Sequence, residues 1–184
     1  MTEVAPAARR GATLALLAGL AAWPAVRAAD SSPAANALRD AQQLVACLRA
    51  LDASCAARYT NTRYLEAQGA TRAELIAAAD ELNRNLKSLG AKYTRFELEP
   101  PWRPFAGDGR LYTFVPYTQT LEAGDKQATV RAYFIGISED AGASWTFVDG
   151  IHTSAGSIRD IIPSYAGAPL PPVSVPAPPP AGGS

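Results

Sequence analysis

Carboxylates and a single imidazole are the groups in this 184-residue chain that could perform general acid–base chemistry. Asp149, Glu97 and Glu99 lie at or near the ends of predicted strands, and His152 follows in a loop. A catalytic base must lie inside a pocket and face an acid or an oxyanion donor. We instead expect Asp149 to cap the loop after its strand and His152 to be exposed. The sequence therefore assigns no catalytic residue.

Tyrosines, one arginine and one tryptophan are candidates for binding a ligand. Arg131 could bind a carboxylate, although an ion pair across strands is the interpretation that we favour. Trp102 lies in a predicted loop for which three roles are open: a lid over a pocket mouth, a contact with a partner, or a packed loop that seals the end of the barrel. Four further candidates fall on predicted strands, where they could offer hydroxyl groups to a ligand; the alternative that we favour is that they pack in the core or face solvent: Tyr93, Tyr112, Tyr117 and Tyr133.

Other catalytic patterns are absent from the sequence. There is no Gly-x-Ser-x-Gly nucleophile motif, and a Ser-His-Asp triad could use only His152. The Gly-Asp-Gly turn at 107–109 lacks the strand-to-helix context and the lysine of a phosphate-binding loop. One histidine without a Cys-x-x-Cys pair does not complete a tetrahedral metal site. We therefore predict no metal and no other cofactor.

Cys47 and Cys55 are the only cysteines in the chain. In one continuous helix their Cα atoms would lie about 12 Å apart, which is too far for a disulfide. A break at Leu51 and Asp52 would turn the following helix back and bring the two cysteines together. An oxidising compartment favours pairing. The sequence leaves a disulfide and two buried thiols as alternatives.

The segment from Ser138 to Trp145 matches the pattern Ser-x-Asp-x-Gly-x-Ser/Thr-Trp, which is known as an Asp-box. It predicts a turn between two antiparallel strands. Asp140 is expected to accept hydrogen bonds from backbone amides, and Gly142 to adopt a positive φ. Ser144 completes the motif, and Trp145 restarts the strand with an apolar anchor. A single copy of this motif predicts a hairpin and carries no catalytic implication.

The two ends of the chain differ in composition from its middle. Residues 1–28 combine a basic pair, a short apolar run and small residues before a cleavage site, which predicts a cleaved signal peptide and a periplasmic or secreted protein. The residues after the arginine pair favour Sec export over the twin-arginine route. Of the 17 basic and 17 acidic residues, 14 and 16 remain after cleavage, a balance that argues against nucleic acid as a partner. Residues 166–184 form a Pro/Ala/Gly-rich tail that is expected to be extended or disordered.

Hydrophobic periodicity indicates the elements that must position these side chains. A helical period predicts one helix over 34–50, a short one over 52–59, and a third from a capping box at Thr71 to Gly90 with a buried leucine face. Strands are predicted over 93–99, 110–121, 127–138 and 145–149, and a short helix over 154–162. Helices followed by a strand meander predict an α+β domain, with helices covering one face of an antiparallel sheet.

Several short segments carry a family resemblance: the Asp-Ala-x-x-Ala-Ala-x-Tyr-Thr run at 52–60, Gly69, Val115-Pro116, the stretch 133–149, Pro163 and Leu170-Pro171. Together with the order of the elements, they resemble the NTF2-like superfamily, in particular small exported bacterial proteins of that fold with no assigned activity. Asn61-Thr62 and Ala141 depart from the usual pattern. The resemblance spans residues 37–173 and places the domain at 29–165. It implies a cone in which N-terminal helices and a curved sheet enclose a pocket, often in a homodimer, and it implies no reaction.

Three functional hypotheses follow. The first is an exported, non-catalytic NTF2-like domain that binds a small ligand or an envelope protein partner. The alternative is a small isomerase, dehydratase or hydrolase that uses a pocket carboxylate, such as Asp149, Glu97 or Glu99, as its base. A third is an assembly module whose sheet face or tail docks onto an envelope protein. The small number of catalytic groups favours the first hypothesis.

Overall fold

The computed structural model describes residues 32–176 except 152 and 155, so the predicted signal peptide and His152 lie outside the described residues. In the described part, four helices precede the sheet: α1 (Pro33–Arg49), α2 (Ala53–Ala57), α3 (Thr62–Ala67) and α4 (Arg72–Ser88). Five strands and a last short helix follow: β1 (Lys92–Leu98), β2 (Phe105–Gly107), β3 (Arg110–Ala123), β4 (Lys126–Ser138), β5 (Thr146–Asp149) and α5 (Ile158–Ile161). The predicted α+β class, with helices followed by an open antiparallel sheet, is confirmed. The structure adds α3 and β2 to the predicted elements.

The chain reverses direction between α1 and α2. Leu51 adopts a left-handed φ of 52°, and Asp52 caps α2 by accepting a 2.8 Å hydrogen bond from the amide of Cys55. This reversal brings the Cα atoms of Cys47 and Cys55 to 5.4 Å, and the structure joins the two residues in a disulfide. The disulfide links α2 covalently to the C-terminal end of α1.

Helix α4 begins at the predicted capping box but is less buried than its pattern suggested. The Thr71 amide donates to Glu74 Oε2 at 2.8 Å, and the Glu74 amide donates to Thr71 Oγ1 at 3.2 Å. The expectation of a buried leucine face is wrong, because no residue of α4 is fully buried, and Leu82 and Leu89 are 58% and 67% exposed. The helix packs mainly on α2, which is too short to cover its apolar stripe.

The described strands form one sheet in the order β1-β3-β4-β5, with β2 paired to β3. A long hairpin of β3 and β4 is its centre, in register from Leu111 opposite Ser138 to Ala123 opposite Lys126. Pro116 lies within this central strand, and the register of β3 with β4 continues through it without a bulge. The Glu99 amide donates to the Pro116 carbonyl at 2.8 Å, but Pro116 has no N–H to return the bond, and the regular pairing of β1 with β3 ends one residue earlier, at Tyr117.

Both faces of the central hairpin are buried. One face packs against α1 through a core that includes Leu44, Phe96, Phe134 and Phe147. The opposite face packs against the C-terminal segment, whose Ile158, Ile161, Ile162 and Tyr165 cover Phe114 and Ile135. Residues 112–117 and 132–138 are buried without interruption because both faces are covered. In a strand with one face exposed to solvent, buried and exposed residues would alternate. Further along, the tail makes a short bridge in which Arg131 and Ser174 exchange backbone hydrogen bonds of 2.9 and 2.8 Å.

Candidate functional site

A cavity of about 320 Å³ lies between the helical layer and the sheet. Its walls are mainly aliphatic and aromatic, with contributions from every helix of that layer and from β4 and β5. They include Leu44, Leu48, Ala57, Leu65, Leu75, Phe134 and Phe147. Ala79 of α4 completes the wall on the outer side. Since α4 is itself only partly buried, the cavity has one thin wall formed by a helix with few supporting neighbours.

Asp149 is the one charged side chain among the described residues that line this cavity. It ends β5, opposite Phe134 in register, and is exposed at the cavity mouth. Its Oδ1 accepts a hydrogen bond from the Ile151 amide at 3.0 Å, so Asp149 does cap the loop that follows its strand. The same carboxylate accepts the Tyr117 hydroxyl, at 3.1 Å to Oδ1 and 3.2 Å to Oδ2. Capping therefore does not remove Asp149 from the cavity.

The charge of this carboxylate contributes to the pKa of three tyrosines, of which Tyr117 contacts it directly. Burial, and then the negative charge of Asp149, raise the pKa of the Tyr117 and Tyr93 hydroxyls above their ordinary value. The pKa of Tyr133 is raised by burial, then by Tyr165 and Asp149. The phenols consequently stay protonated at neutral pH. They can hydrogen-bond here, but they cannot serve as phenolate bases.

The six ligand-binding candidates from the sequence do not form one site. Tyr93 and Tyr117 lie on the face of the sheet that meets the helices, whereas Tyr112 and Tyr133 pack in the opposite core. Arg131 forms an ion pair with Glu99 at 2.8 Å. Trp102, which is 39% exposed, packs its ring edge-on against a buried phenylalanine of the opposite core at a centroid distance of 5.6 Å and does not line the cavity.

The other carboxylates proposed as bases are engaged on the surface. Glu99 pairs with Arg131, and the exposed Glu97 accepts a hydrogen bond from Arg95 on the same strand. That hydrogen bond lowers the pKa of Glu97, which makes it a weaker base. Neither side chain lines the cavity. Of the proposed bases in the described residues, only Asp149 is placed beside it.

The Asp-box forms a tight turn and is anchored by α1. Asp140 accepts hydrogen bonds from Ser138 Oγ at 2.8 Å, from the Ser144 amide at 2.9 Å and from Ser144 Oγ at 2.6 Å. Gly142 takes a φ of 91°, and its carbonyl accepts the Trp145 indole N–H at 3.2 Å. The turn orients β5 and hence Asp149, which is an architectural role.

Sequence reasoning missed the two polar residues of α1 that hold this turn. Buried Asp40 accepts the Trp145 amide at 2.9 Å, and the side-chain amide of Asn36 donates to the Gly142 carbonyl at 2.9 Å. It also missed the part of the cavity wall that α3 contributes, because the hydrophobic periodicity of this segment is weak. In the structure, Asn61 caps α3 by accepting a hydrogen bond from the Tyr64 amide. Polar residues at positions 36 and 40, one turn apart within an otherwise apolar stripe, were the available signal.

Together these features define an α+β domain with an apolar cavity under its helices and one carboxylate at the cavity mouth. No protein-family model, curated protein or solved structure matches the chain significantly. In the described residues, no group of three His, Cys, Asp or Glu side chains is arranged to hold a metal ion. No helix in the same part of the chain is both long and apolar enough to cross a membrane.

Proposed function

We propose that the protein is an exported NTF2-like domain that performs no catalysis and binds a small, largely apolar molecule in the cavity beneath its helices. The cavity itself carries the proposal. Its volume of about 320 Å³ lies at the lower end of the range for small-molecule sites, and apolar walls with a few polar groups are typical of such sites. The order of helices and sheet supports the NTF2-like assignment, and the composition of residues 1–28 supports export.

The packing around the cavity favours ligand entry. Wall atoms that face a void lose dispersion contacts that a ligand would restore. The outer wall is α4, whose stripe is only partly buried and which has few contacts beyond α2. Because α4 packs mainly on α2 and not on the β3–β4 hairpin, a displacement of this helix would leave the double-sided core of the hairpin in place. The ligand-binding wall and the stable core are therefore separate parts of the fold.

Native mass spectrometry of the protein purified from its own envelope compartment tests this proposal. The expected result is a mass above that of the polypeptide, with the difference identifying the ligand. Ala79→Phe fills the cavity and should remove the extra mass. Ala78→Phe is the matched control, because Ala78 is an exposed neighbour on the same helix that does not line the cavity. A clean polypeptide mass from every preparation would count against the proposal.

An envelope protein partner is the other form of this proposal, and two exposed leucines, one within α4 and one at its C-cap, favour it. Leu82 and Leu89 are large apolar side chains with more than half of their surface in solvent. A pull-down from envelope extract should lose a specific partner when both are changed to serine. Ala77→Ser on the same helix is the control, since position 77 is exposed and small. Retention of the partner by the double variant would reject this form.

Catalysis by a pocket carboxylate is the competing function, and one observation favours it. The Asp149 carboxylate lies beside an apolar cavity and accepts the hydroxyl of Tyr117, so a base and a hydrogen-bond donor are adjacent. An isomerase, dehydratase or hydrolase that works in this way must lose turnover when Asp149 is changed to Asn. Turnover that survives this change would exclude Asp149 as the base.

A further inference from the structure

We propose that the outer edge of β4 pairs with the same edge of a second copy of this chain, and that residues 172–176 restrain this association by occupying one position of the edge. The inference does not depend on the cavity or its ligand. Two observations carry it: the first half of β4 has a strand on one side only, and an extended segment of the chain is bound to the other side by a single bridge at Ser174.

The open edge is the first half of β4. Strand β5 pairs with β4 only between Phe134 and Ile137, whereas β3 pairs with β4 along its whole length. Residues 126–132 therefore have a neighbouring strand on the β3 side alone. Those from 126 to 129 are exposed to solvent, and their register with β3 shows no bulge. An unpaired edge of this kind is able to pair with another extended segment.

The backbone groups of alternate residues point outwards from this edge. Those of Arg131 do so, because its amide donates to the Ser174 carbonyl at 2.9 Å and its carbonyl accepts the Ser174 amide at 2.8 Å. The same alternation turns the amide and carbonyl groups of Thr129 and Gln127 outwards. Within the described residues, no backbone hydrogen bond reaches either of them from that side. Each therefore offers an open donor and an open acceptor beside the bridge.

The segment bound at Arg131 is suited to hold this one position and no more. Pro172 and Pro176 lie two residues on either side of Ser174, and a continued antiparallel pairing would place Pro176 opposite Thr129. Proline has no N–H, so neither residue can exchange the two hydrogen bonds that a continued ladder requires. The segment is also exposed throughout. A strand with a complete set of N–H groups can therefore displace it.

The β4 edge is complementary to itself in an antiparallel arrangement. With Thr129 opposite its counterpart in the second copy, Gln127 comes opposite Arg131, and Ala128 comes opposite Val130. Cross-strand pairs of threonines are favourable, and no like charges face each other in this register. Arg131 bonds to the second copy here, so its bridge to Ser174 must open first. Self-association and binding of the segment are therefore in competition.

The other outer strand, β1, is less suited to such pairing. Its register with β3 shifts between Tyr93 and Arg95, and an irregularity of this kind turns an edge away from a flat partner strand. Arg95 and Glu97 also place two exposed charges along β1. The β4 edge has neither feature between residues 127 and 130. For this reason we assign the association to β4.

Sedimentation velocity of the purified protein over a range of concentrations tests the inference. Ser174→Pro removes the N–H of the bridge and should lower the dissociation constant of the dimer at least about tenfold, because two backbone hydrogen bonds no longer compete with pairing. Ser174→Ala is the matched control, since it keeps the N–H and should associate like the wild type. Circular dichroism verifies that each variant is folded. Equal association by the two variants would overturn the restraining role of the segment.

A second substitution locates the interface. Thr129→Pro removes an outward N–H that makes no bond to β3, a change that an edge strand tolerates. Combined with Ser174→Pro, it should abolish the gain in association. A double variant that associates as strongly as Ser174→Pro alone would show that another surface is used and overturn the assignment to β4. A Ser174→Pro protein that stays monomeric at every concentration would overturn the proposal as well, and neither result bears on the cavity.

Discussion

Replacing Asp140 by alanine is expected to destabilise the protein by about 1–2 kcal/mol at neutral pH. The carboxylate accepts three hydrogen bonds within the Asp-box, two from Ser144 and one from Ser138. Hydrogen bonds to a charged group contribute about 1.5–3 kcal/mol each when water is excluded. Asp140 is exposed, and water replaces part of what the turn supplies. The expected loss is therefore close to the value of one such bond.

The pH dependence of this loss follows from the pKa of Asp140. Its hydrogen bonds from Ser144, and then from Ser138, lower the pKa from 3.8 to about 2. A pKa depressed in the folded state stabilises the protein fully above the unfolded value and stops doing so as the pH falls through the folded value. The shift corresponds to about 2.5 kcal/mol by linkage, which solvent screening of this exposed group reduces to about 1 kcal/mol. About half of that contribution should be lost at pH 3.

Urea unfolding at pH 7 and at pH 3 measures both quantities. The difference in unfolding free energy between wild type and Asp140→Ala should be about 1–2 kcal/mol at pH 7 and clearly smaller at pH 3. Asp125→Ala, which removes another exposed turn carboxylate, should change the free energy by less than about 0.5 kcal/mol at both pH values. Equal losses from the two substitutions, or an undiminished loss at pH 3, would refute the reasoning.

Three further predictions concern the disulfide, a close backbone approach and the exposed helix. Changing both Cys47 and Cys55 to alanine should lower the free energy of unfolding by about 2.5 kcal/mol, the loop-closure contribution for an eight-residue separation. In urea unfolding, dithiothreitol should destabilise the wild type and leave the double variant unchanged. Gly150→Ala should cost about 1–3 kcal/mol in the same assay, since its Cβ would lie 2.3 Å from a buried tyrosine ring, whereas Gly156→Ala meets nothing closer than 3.6 Å and should be near neutral. Leu82→Ser should lower the thermal midpoint by no more than about 2 °C because the side chain is 58% exposed; a larger drop would show that α4 is packed more tightly than the structure indicates.

Helix caps and tight turns were predicted correctly where a short sequence motif favours one backbone conformation. Thr71 and Glu74 form the predicted capping box, and Gly142 adopts the positive φ that the Asp-box requires. These signals depend on contacts within a few residues, so the sequence carries them directly. Helix α3 is not predicted from the sequence, because its six residues have no buried position and hence no apolar period to detect.

The candidate site was predicted only in part, because its members are distant in sequence. The sequence predicts Tyr117 and Asp149 as separate candidates, but the hydrogen bond between them depends on the register of β3, β4 and β5, which local patterns do not define. The sequence does not distinguish Tyr112 and Tyr133 from the other candidates, because it does not show that the C-terminal segment buries their face of the sheet. An alternating strand pattern does not tell which face another segment covers.

The sequence by itself determined the α+β order of elements, the Asp-box turn and the helix caps, since these follow from backbone preferences and short-range hydrogen bonds. Only the tertiary structure decided three other features: the apolar cavity beneath the helices, the partial exposure of α4, and the placement of Asp149 at the cavity mouth. An amphipathic stripe specifies that a face is apolar, but not which surface will cover it. Covering depends on the lengths and angles of packed elements, and here the short α2 leaves much of the α4 stripe, and a space behind it, unfilled.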